Sequence, residues 1–184
     1  MRVIAGTARG TRLTALPGEE VTRPTIDRVK EAMFSALQFS LPGARVLDLF
    51  GGSGQLGVEA LSRGAAHCTF IEQDRQAAAV IIANCKAAGV FKQARVNVGQ
   101  AELFLPAAPA ESYHIVLLDP PYGRGILEAI LPQVERVTAP GGTVLCESEV
   151  SVGLPNACGA LKKVRQHRYG KVLVTRYEKE RGGI

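Results

Sequence analysis

Arg45-Val46-Leu47-Asp48-Leu49-Phe50-Gly51-Gly52-Ser53-Gly54-Gln55-Leu56-Gly57 runs from an apolar segment through a glycine turn into a helical pattern. Arg45–Phe50 reads as a buried strand and Gln55–Arg63 as a helix. Gly52, Gly54 and Gly57 fit a G-x-G-x-x-G spacing in its required context, strand before and helix after. Glycine lets the chain turn tightly and lets backbone approach a ligand closely. Glu72 ends the next apolar run, about twenty residues further on, where an acid accepts hydrogen bonds from two ribose hydroxyls. Turn and acid together predict a nucleoside-containing cofactor.

Working outward, strands and helices alternate. Cys68–Glu72 leads to helix Gln76–Ala88, and Arg95–Val98 to a short helix near Ala101–Leu105. Ile115–Asp119 leads to a helix near Ile126–Val137, and strand Thr143–Ser148 follows Gly141-Gly142. Five β units separated by helices predict a parallel, doubly wound α/β sheet. The end differs: Leu161–Arg168 and Val172–Glu178 flank Tyr169-Gly170-Lys171, an antiparallel hairpin. Upstream, Ile26, Val29, Met33, Ala36 and Leu37 share one face of a helix over Ile26–Phe39. Two short β runs within Arg2–Leu16 surround Gly6 and Gly10 and read as a hairpin. The expectation is one domain over residues 1–184. A β-hairpin appendage occupies 1–20, one the core does not obviously need, and the catalytic core occupies 21–184.

The 184 residues suffice for one sizeable core. With 46% hydrophobic and 21% charged residues the chain reads as globular rather than disordered. The net charge of +5 favours polyanionic partners. Cys68, Cys85, Cys146 and Cys158 form no C-x-x-C, which argues against a structural zinc site or a secreted disulfide framework. His67, His114 and His167 make no ligand-spaced pair, so no metal is expected. No signal peptide and no bilayer-length apolar run is evident, and the cytoplasm is the default expectation.

Asp119-Pro120-Pro121-Tyr122 follows the run Ile115–Leu118, at the strand edge where open α/β sheets bind ligands. The prolines lack N–H groups and stiffen the turn. It offers the Asp119 carboxylate and a backbone carbonyl as acceptors beside the Tyr122 ring. That combination suits a flat base with an exocyclic amine, whose hydrogens are donated while the ring stacks. A dinucleotide dehydrogenase would share the glycine turn and Glu72 but would not need these four residues. Asp48 would repel a pyrophosphate, yet could accept from an amino-acid ammonium, directly or through water. The reading therefore tips to S-adenosylmethionine.

Asp48–Gly54 resembles the first motif of class I methyltransferases, and Asp119–Tyr122 the fourth motif of amino-methylating members. Arg23-Pro24-Thr25 with Asp27-Arg28-Val29-Lys30-Glu31-Ala32-Met33-Phe34 is more specific. Together with Gly6, Arg9-Gly10 and Leu13, Leu56-Gly57, Glu59–Ala65 and Glu147-Ser148-Glu149, it resembles the RsmD family over nearly the whole chain. The resemblance implies a Rossmann-like seven-stranded sheet, mostly parallel with a C-terminal antiparallel hairpin. It implies transfer of methyl from S-adenosylmethionine to the N2 amine of a guanine in 16S ribosomal RNA, with S-adenosylhomocysteine as product. Gln100 stands where many relatives carry Asp or Asn, and its amide can still accept from an adenine amine.

The candidate catalytic residues are Asp119, Pro120, Pro121 and Tyr122. The candidate cofactor residues are Asp48, Phe50, Gly51, Gly52, Ser53, Gly54, Glu72, Gln73, Gln100, Ala101 and Asp119, with Arg23 and Thr25 bordering the cleft. Arg2, Arg9, Arg12, Tyr122 and Arg124 are the candidate RNA contacts, with Lys162, Lys163 and Arg165 a second basic run. The expected partner is 16S rRNA, within a small subunit or an assembly intermediate, met by a monomer away from any membrane. Competing readings are an adenine-N6 methyltransferase on RNA or DNA, a non-catalytic RNA-binding assembly factor, and a nicotinamide oxidoreductase.

Overall fold

The computed structural model describes residues 1–17, 24–122 and 125–182, with residues 24–26 described in backbone alone. The chain order is α1 (Pro24–Ser35), β1 (Arg45–Asp48), α2 (Gln55–Ser62), β2 (His67–Glu72), α3 (Arg75–Ala87), β3 (Ala94–Val98) and α4 (Ala101–Ala107). There follow β4 (Tyr113–Leu118), α5 (Ile126–Val137), β5 (Thr138–Glu149), β6 (Ala157–Cys158), β7 (Leu161–Tyr169) and β8 (Val172–Lys179). One sheet runs β3-β2-β1-β4-β5-β8-β7-β6. The first five of these strands pair in parallel, and β8, β7 and β6 pair antiparallel.

Alternation along the strands supplies a core on each face of this sheet. Val46 of β1 and Ile115 and Leu117 of β4 point into one cluster with Phe34, Leu37, Phe70 and Ile81. Leu47 of β1 and Val116 and Leu118 of β4 point into the other, with Ile130, Leu131, Val134 and Tyr177. A strand buried on both faces must be apolar at consecutive positions, which is why Ile115–Leu118 shows no polar alternation.

Several boundaries depart from the expected ones. The sheet has eight strands rather than seven, because β6 adds two residues beside β7. Two residues are too few to show a periodicity. Strand β5 begins at Thr138, with a register irregularity between Tyr113 and Ile115 on its partner. Helix α1 ends at Ser35, and the chain then turns so that Leu37 and Leu41 are buried while Phe39 is exposed.

The amino-terminal segment, read as a hairpin that the core does not obviously need, is tied into the core by long-range contacts. Among the described residues its only ladder is a single bridge, Arg2 to Arg12, supported by Val3 N–H to the Thr11 carbonyl and Gly10 N–H to the Val3 carbonyl. Its main anchor is α2. The fully buried Glu59 carboxylate accepts from Ile4 N–H (2.8 Å) and Ala5 N–H (3.0 Å). Ser62 Oγ accepts from Ala8 N–H and donates to the Ala5 carbonyl. Gly6 has φ +86°, and a Cβ there would lie 1.9 Å from the Ser62 carbonyl oxygen. Val3, Ala8 and Leu13 join the first core cluster. Residues more than fifty positions downstream hold this segment, so no local pattern could reveal it.

Candidate active site

In the sheet, β1 lies between β2 and β4, so the chain winds away from it in both directions. The carboxyl ends of these central strands therefore splay their loops apart and leave a crevice. A cleft of about 400 Å³ opens there, a size typical of cofactor sites. Of the candidate residues it is lined by Phe50, Gly52, Glu72, Gln73, Gln100, Ala101, Asp119, Pro120, Pro121 and Tyr122. The loops after β1, β2, β3 and β4 each supply part of this wall.

The glycine turn is held from two sides. Gly51 N–H donates to the Ile71 carbonyl (2.9 Å), and Gly54 N–H to the Gly51 carbonyl (2.7 Å). Gly54 occupies the N-cap of α2 with φ 80°, in the left-handed region that glycine enters without cost. Glu72 Oε2 accepts from Gly52 N–H and Oε1 from Asp74 N–H, both at 2.8 Å. Glu72 thus shapes the turn as well as facing the cleft. Each carboxylate oxygen has a second lone pair for a further donor. Gly57 is required by packing: a Cβ there would lie 2.1 Å from the Phe70 ring.

Four candidates sit behind the cleft wall rather than in it. Gly51 packs under Ile81, where a Cβ would lie 2.7 Å from the side chain, and Gly54 packs on the same residue. Ser53 is buried away from the opening, with Oγ donating to Met1 Sδ at 3.5 Å and its carbonyl accepting from Asn84 Nδ2. Asp48 is 1% exposed and its Oδ2 accepts Gly57 N–H at 2.9 Å. It braces the first turn of α2, a role its place before the glycines did not suggest. Its Oδ1 is buried with no hydrogen-bond partner. Burial pushes the carboxyl up to about 7, with the Gly57 N–H opposing and Glu72 adding to the rise.

The turn after β4 forms the opposite wall. Pro120 is buried, Asp119 half-buried, and Tyr122 is 49% exposed. The Tyr122 hydroxyl donates to Glu147 Oε1 of β5 at 3.1 Å. Burial raises the Tyr122 hydroxyl, and the charges of Glu147 and Asp119 raise it further. Burial likewise raises the Glu147 carboxyl, with the hydrogen bond from Tyr122 opposing. Leu49, Ile71, Gly99, Glu102 and Ile126 also line the cleft. Sequence reasoning passed over them, although Leu49, Ile71, Gly99 and Glu102 each directly neighbour a chosen residue, and Ile126 opens α5 just after the turn.

Arg23 and Arg124 lie outside the described residues, and Thr25 is described only as backbone near the start of α1. Arg2, Arg9 and Arg12 are exposed. The Arg9 turn is anchored on Ser62, the last residue of α2 and the end opposite the glycine turn. Arg2 and Arg12 pair where the Met1 side chain reaches Ser53. Arg2 and Arg12 thus lie near the glycine-turn end of α2, and Arg9 near its carboxyl end. Among the described residues no group of His, Cys, Asp and Glu is disposed to hold a metal ion. No helix among them is long and apolar enough to cross a membrane.

The family described as conserved hypothetical protein 95 matches residues 1–178. Ribosomal RNA small subunit methyltransferase D of Escherichia coli K12 is 38% identical over 185 residues, covering all of this chain and 92% of that protein. The chain belongs to the RsmD family. A second relative, the putative rRNA methyltransferase YlbH of Bacillus subtilis, is 39% identical over 97% of this chain and 99% of its own length. The solved structure of the putative methyltransferase yhhF from Escherichia coli superposes with a TM-score of 0.86 at 37% identity, covering 98% of both chains. The fold is that of the class I S-adenosylmethionine-dependent methyltransferases, and the RsmD chain described here carries its cleft at the same sheet edge that the glycine turn and Glu72 define.

Proposed function

We propose that this chain transfers a methyl group from S-adenosylmethionine to the N2 amine of a guanine in 16S ribosomal RNA. The observation that carries this reading is the shared cleft: Asp119–Tyr122 faces Gly52, Glu72 and Gln100 across one opening. The names of the two relatives, rRNA methyltransferases, support the nucleic-acid class. Glu72 and Gly52 suit a ribose and its neighbouring backbone, while Gln100, Ala101 and Ile71 offer an amide and an apolar slot for a purine. When bound, the cofactor supplies an electrophilic methyl on a sulfonium that leaves as a neutral thioether.

The protein's own contribution is alignment and electrostatics. Asp119 and the Pro120 carbonyl accept the two hydrogens of the target amine and hold its nitrogen in line. The same acceptors stabilise the positive charge that builds on nitrogen. Asp119 need not be a strong base, because the methylated amine is acidic. Tyr122 stacks on a base taken out of its helix, which offsets part of the few kcal/mol of unstacking. Its hydroxyl, tied to Glu147, fixes the ring's orientation. The substrate is rRNA within a small subunit or assembly intermediate, met in the cytoplasm by a monomer.

Radiolabelled methyl transfer to unmodified small subunits and to naked 16S rRNA, followed by nucleoside digestion, tests the proposal. N2-methylguanosine is the expected product. N6-methyladenosine, or no label, would overturn it. Asp119→Ala is expected to lose turnover and to retain cofactor binding by calorimetry.

A further inference from the structure

The cleft mouth is acidic. Glu72, Glu102 and Asp119 line it, and Glu147 and Glu149 adjoin Tyr122 on the next strand. Phosphates are repelled there, so a nucleic-acid backbone must be gripped on the flanks. On one side, the amino-terminal segment places Arg2 and Arg12 near the glycine-turn end of α2.

The β7–β8 hairpin forms the other. Residues 161–171 hold Lys162, Lys163, Arg165, Arg168 and Lys171 and no acid, five charges in a chain whose net is +5. The topology fixes where these charges lie. Strand β5 runs parallel to β4, and Glu149 at its carboxyl end pairs with Val172. Val172 in turn pairs with Tyr169, and Val150 N–H donates to the Lys171 carbonyl. The Tyr169-Gly170-Lys171 tip therefore sits on the same sheet edge as Asp119. It joins β8 and β7, which are two and three strands from β4, roughly 10–14 Å at the usual strand spacing.

The cations at the far end of the hairpin are already engaged. Lys162 pairs with Glu180, Lys179 with Glu135 and Glu111, and Lys163 Nζ donates to the Leu154 carbonyl. On β8, Arg176 pairs with Glu178. Among the described residues, Arg165, Arg168 and Lys171 are exposed and form no ion pair, although Arg168 Nε donates to the Gly170 carbonyl within the turn at 2.8 Å and leaves its terminal nitrogens for other acceptors. The free positive charge is thus concentrated towards the cleft edge.

We infer that Arg165, Arg168 and Lys171 on the β7–β8 hairpin form a phosphate-backbone docking surface, holding RNA on the side of the cleft opposite the amino-terminal segment. This deepens the proposed rRNA reading and rests on it. A competing account exists for the same charges. Among the described residues, the outer side of β7 has no partner strand beyond Lys162, and exposed edges carry Lys and Arg to block strand pairing. Contact with phosphate releases counterions, whereas edge protection does not.

The test compares two variants with equal charge removed. One is Arg165→Gln/Arg168→Gln/Lys171→Gln. The other is Lys86→Gln/Lys92→Gln/Arg95→Gln, on the end of α3, the following turn and the start of β3, at the edge away from the cleft. Binding to naked 16S rRNA and to small subunits is measured across a salt titration, with light scattering alongside. Each lost contact flattens the slope of log K against log salt by about 0.7–0.9. The hairpin variant should flatten it by about two units and bind more than tenfold more weakly at low salt, while the control slope stays near wild type. Should the triple variant fail to fold, Lys171→Gln alone, in the turn, should flatten the slope by nearly one unit. Equal slopes in hairpin and control variants would overturn the inference, and self-association of the hairpin variant would then assign the charges to edge protection. Methyl transfer by the wild type separates the two readings. If the hairpin sets the salt slope but rRNA receives no methyl, the substrate assignment falls and the docking surface stands.

Discussion

Replacing Asp48 with Asn should stabilise the protein, and the gain should grow with pH. Asp48 is fully buried beneath the glycine turn and, among the described residues, has one satisfied oxygen and one without a partner; burial pushes its carboxyl from the ordinary aspartate range up to about 7. Below about pH 4 the carboxyl is protonated both folded and unfolded, and it contributes no pH dependence. Between about pH 4 and 7 the unfolded chain releases the proton and the native state keeps it. The native state then binds more protons, so stability falls as pH rises. The slope is about 1.4 kcal/mol per pH unit. Over the roughly three units separating the two values the loss reaches about 4 kcal/mol, an order-of-magnitude figure. Asn retains an oxygen for the Gly57 N–H and carries no titrating proton. Other groups titrate in both proteins and cancel in the difference between them. Urea unfolding of wild type and Asp48→Asn from pH 4.5 to 8.5 should show the variant's advantage widening up to about pH 7 and then levelling. A flat difference across that range would refute the assignment of a buried, protonated Asp48. The same pair examines the sequence-based reading of this residue. If Asp48 meets the cofactor ammonium, the Asn variant should bind S-adenosylmethionine more weakly, and if it only braces α2, the affinities should match.

Glu72→Ala should weaken cofactor binding by roughly 1.5–3 kcal/mol for the lost charged hydrogen bonds, measured by calorimetry; unchanged affinity in a folded variant would remove Glu72 from the site. Tyr122→Ala should reduce methyl transfer by about 1–3 kcal/mol through lost stacking. Tyr122→Phe should cost about 1 kcal/mol because Glu147 loses its donor, and Glu147→Gln in the Phe background should add little; additive losses would mean the two side chains act separately. Glu59→Ala removes the ion-pair partner of buried Lys30 and of Arg63 and leaves two backbone N–H groups without their acceptor, while Lys30 keeps the Arg2 carbonyl. It should lower stability by about 3–5 kcal/mol in denaturant melts, and a loss below 1 kcal/mol would show that the amino-terminal segment is held by its apolar contacts instead.

The doubly wound sheet was legible because it is written locally. Alternating apolar runs, glycines at a strand–helix turn and acids at strand ends are each short-range patterns, set by the periodicities of strand and helix. From them come the cleft-lining Gly52, Glu72, Gln100 and Asp119–Tyr122. The orientation of individual side chains was not local. Asp48, Ser53 and Gly54 lie in the cofactor motif yet turn into the core, because Gly57, Asn84 and Ile81 meet them from other elements. The Tyr122–Glu147 bond joins residues 25 positions apart through the pairing of β4 with β5. The burial of the amino-terminal segment on Glu59 and Ser62, and the arrival of the β7–β8 tip beside the cleft, depend likewise on long-range contact. The chain's residues determine which strands and turns can form. Only the folded sheet decides which side chains those elements aim at one another, because that follows from strand order and packing between segments distant in sequence.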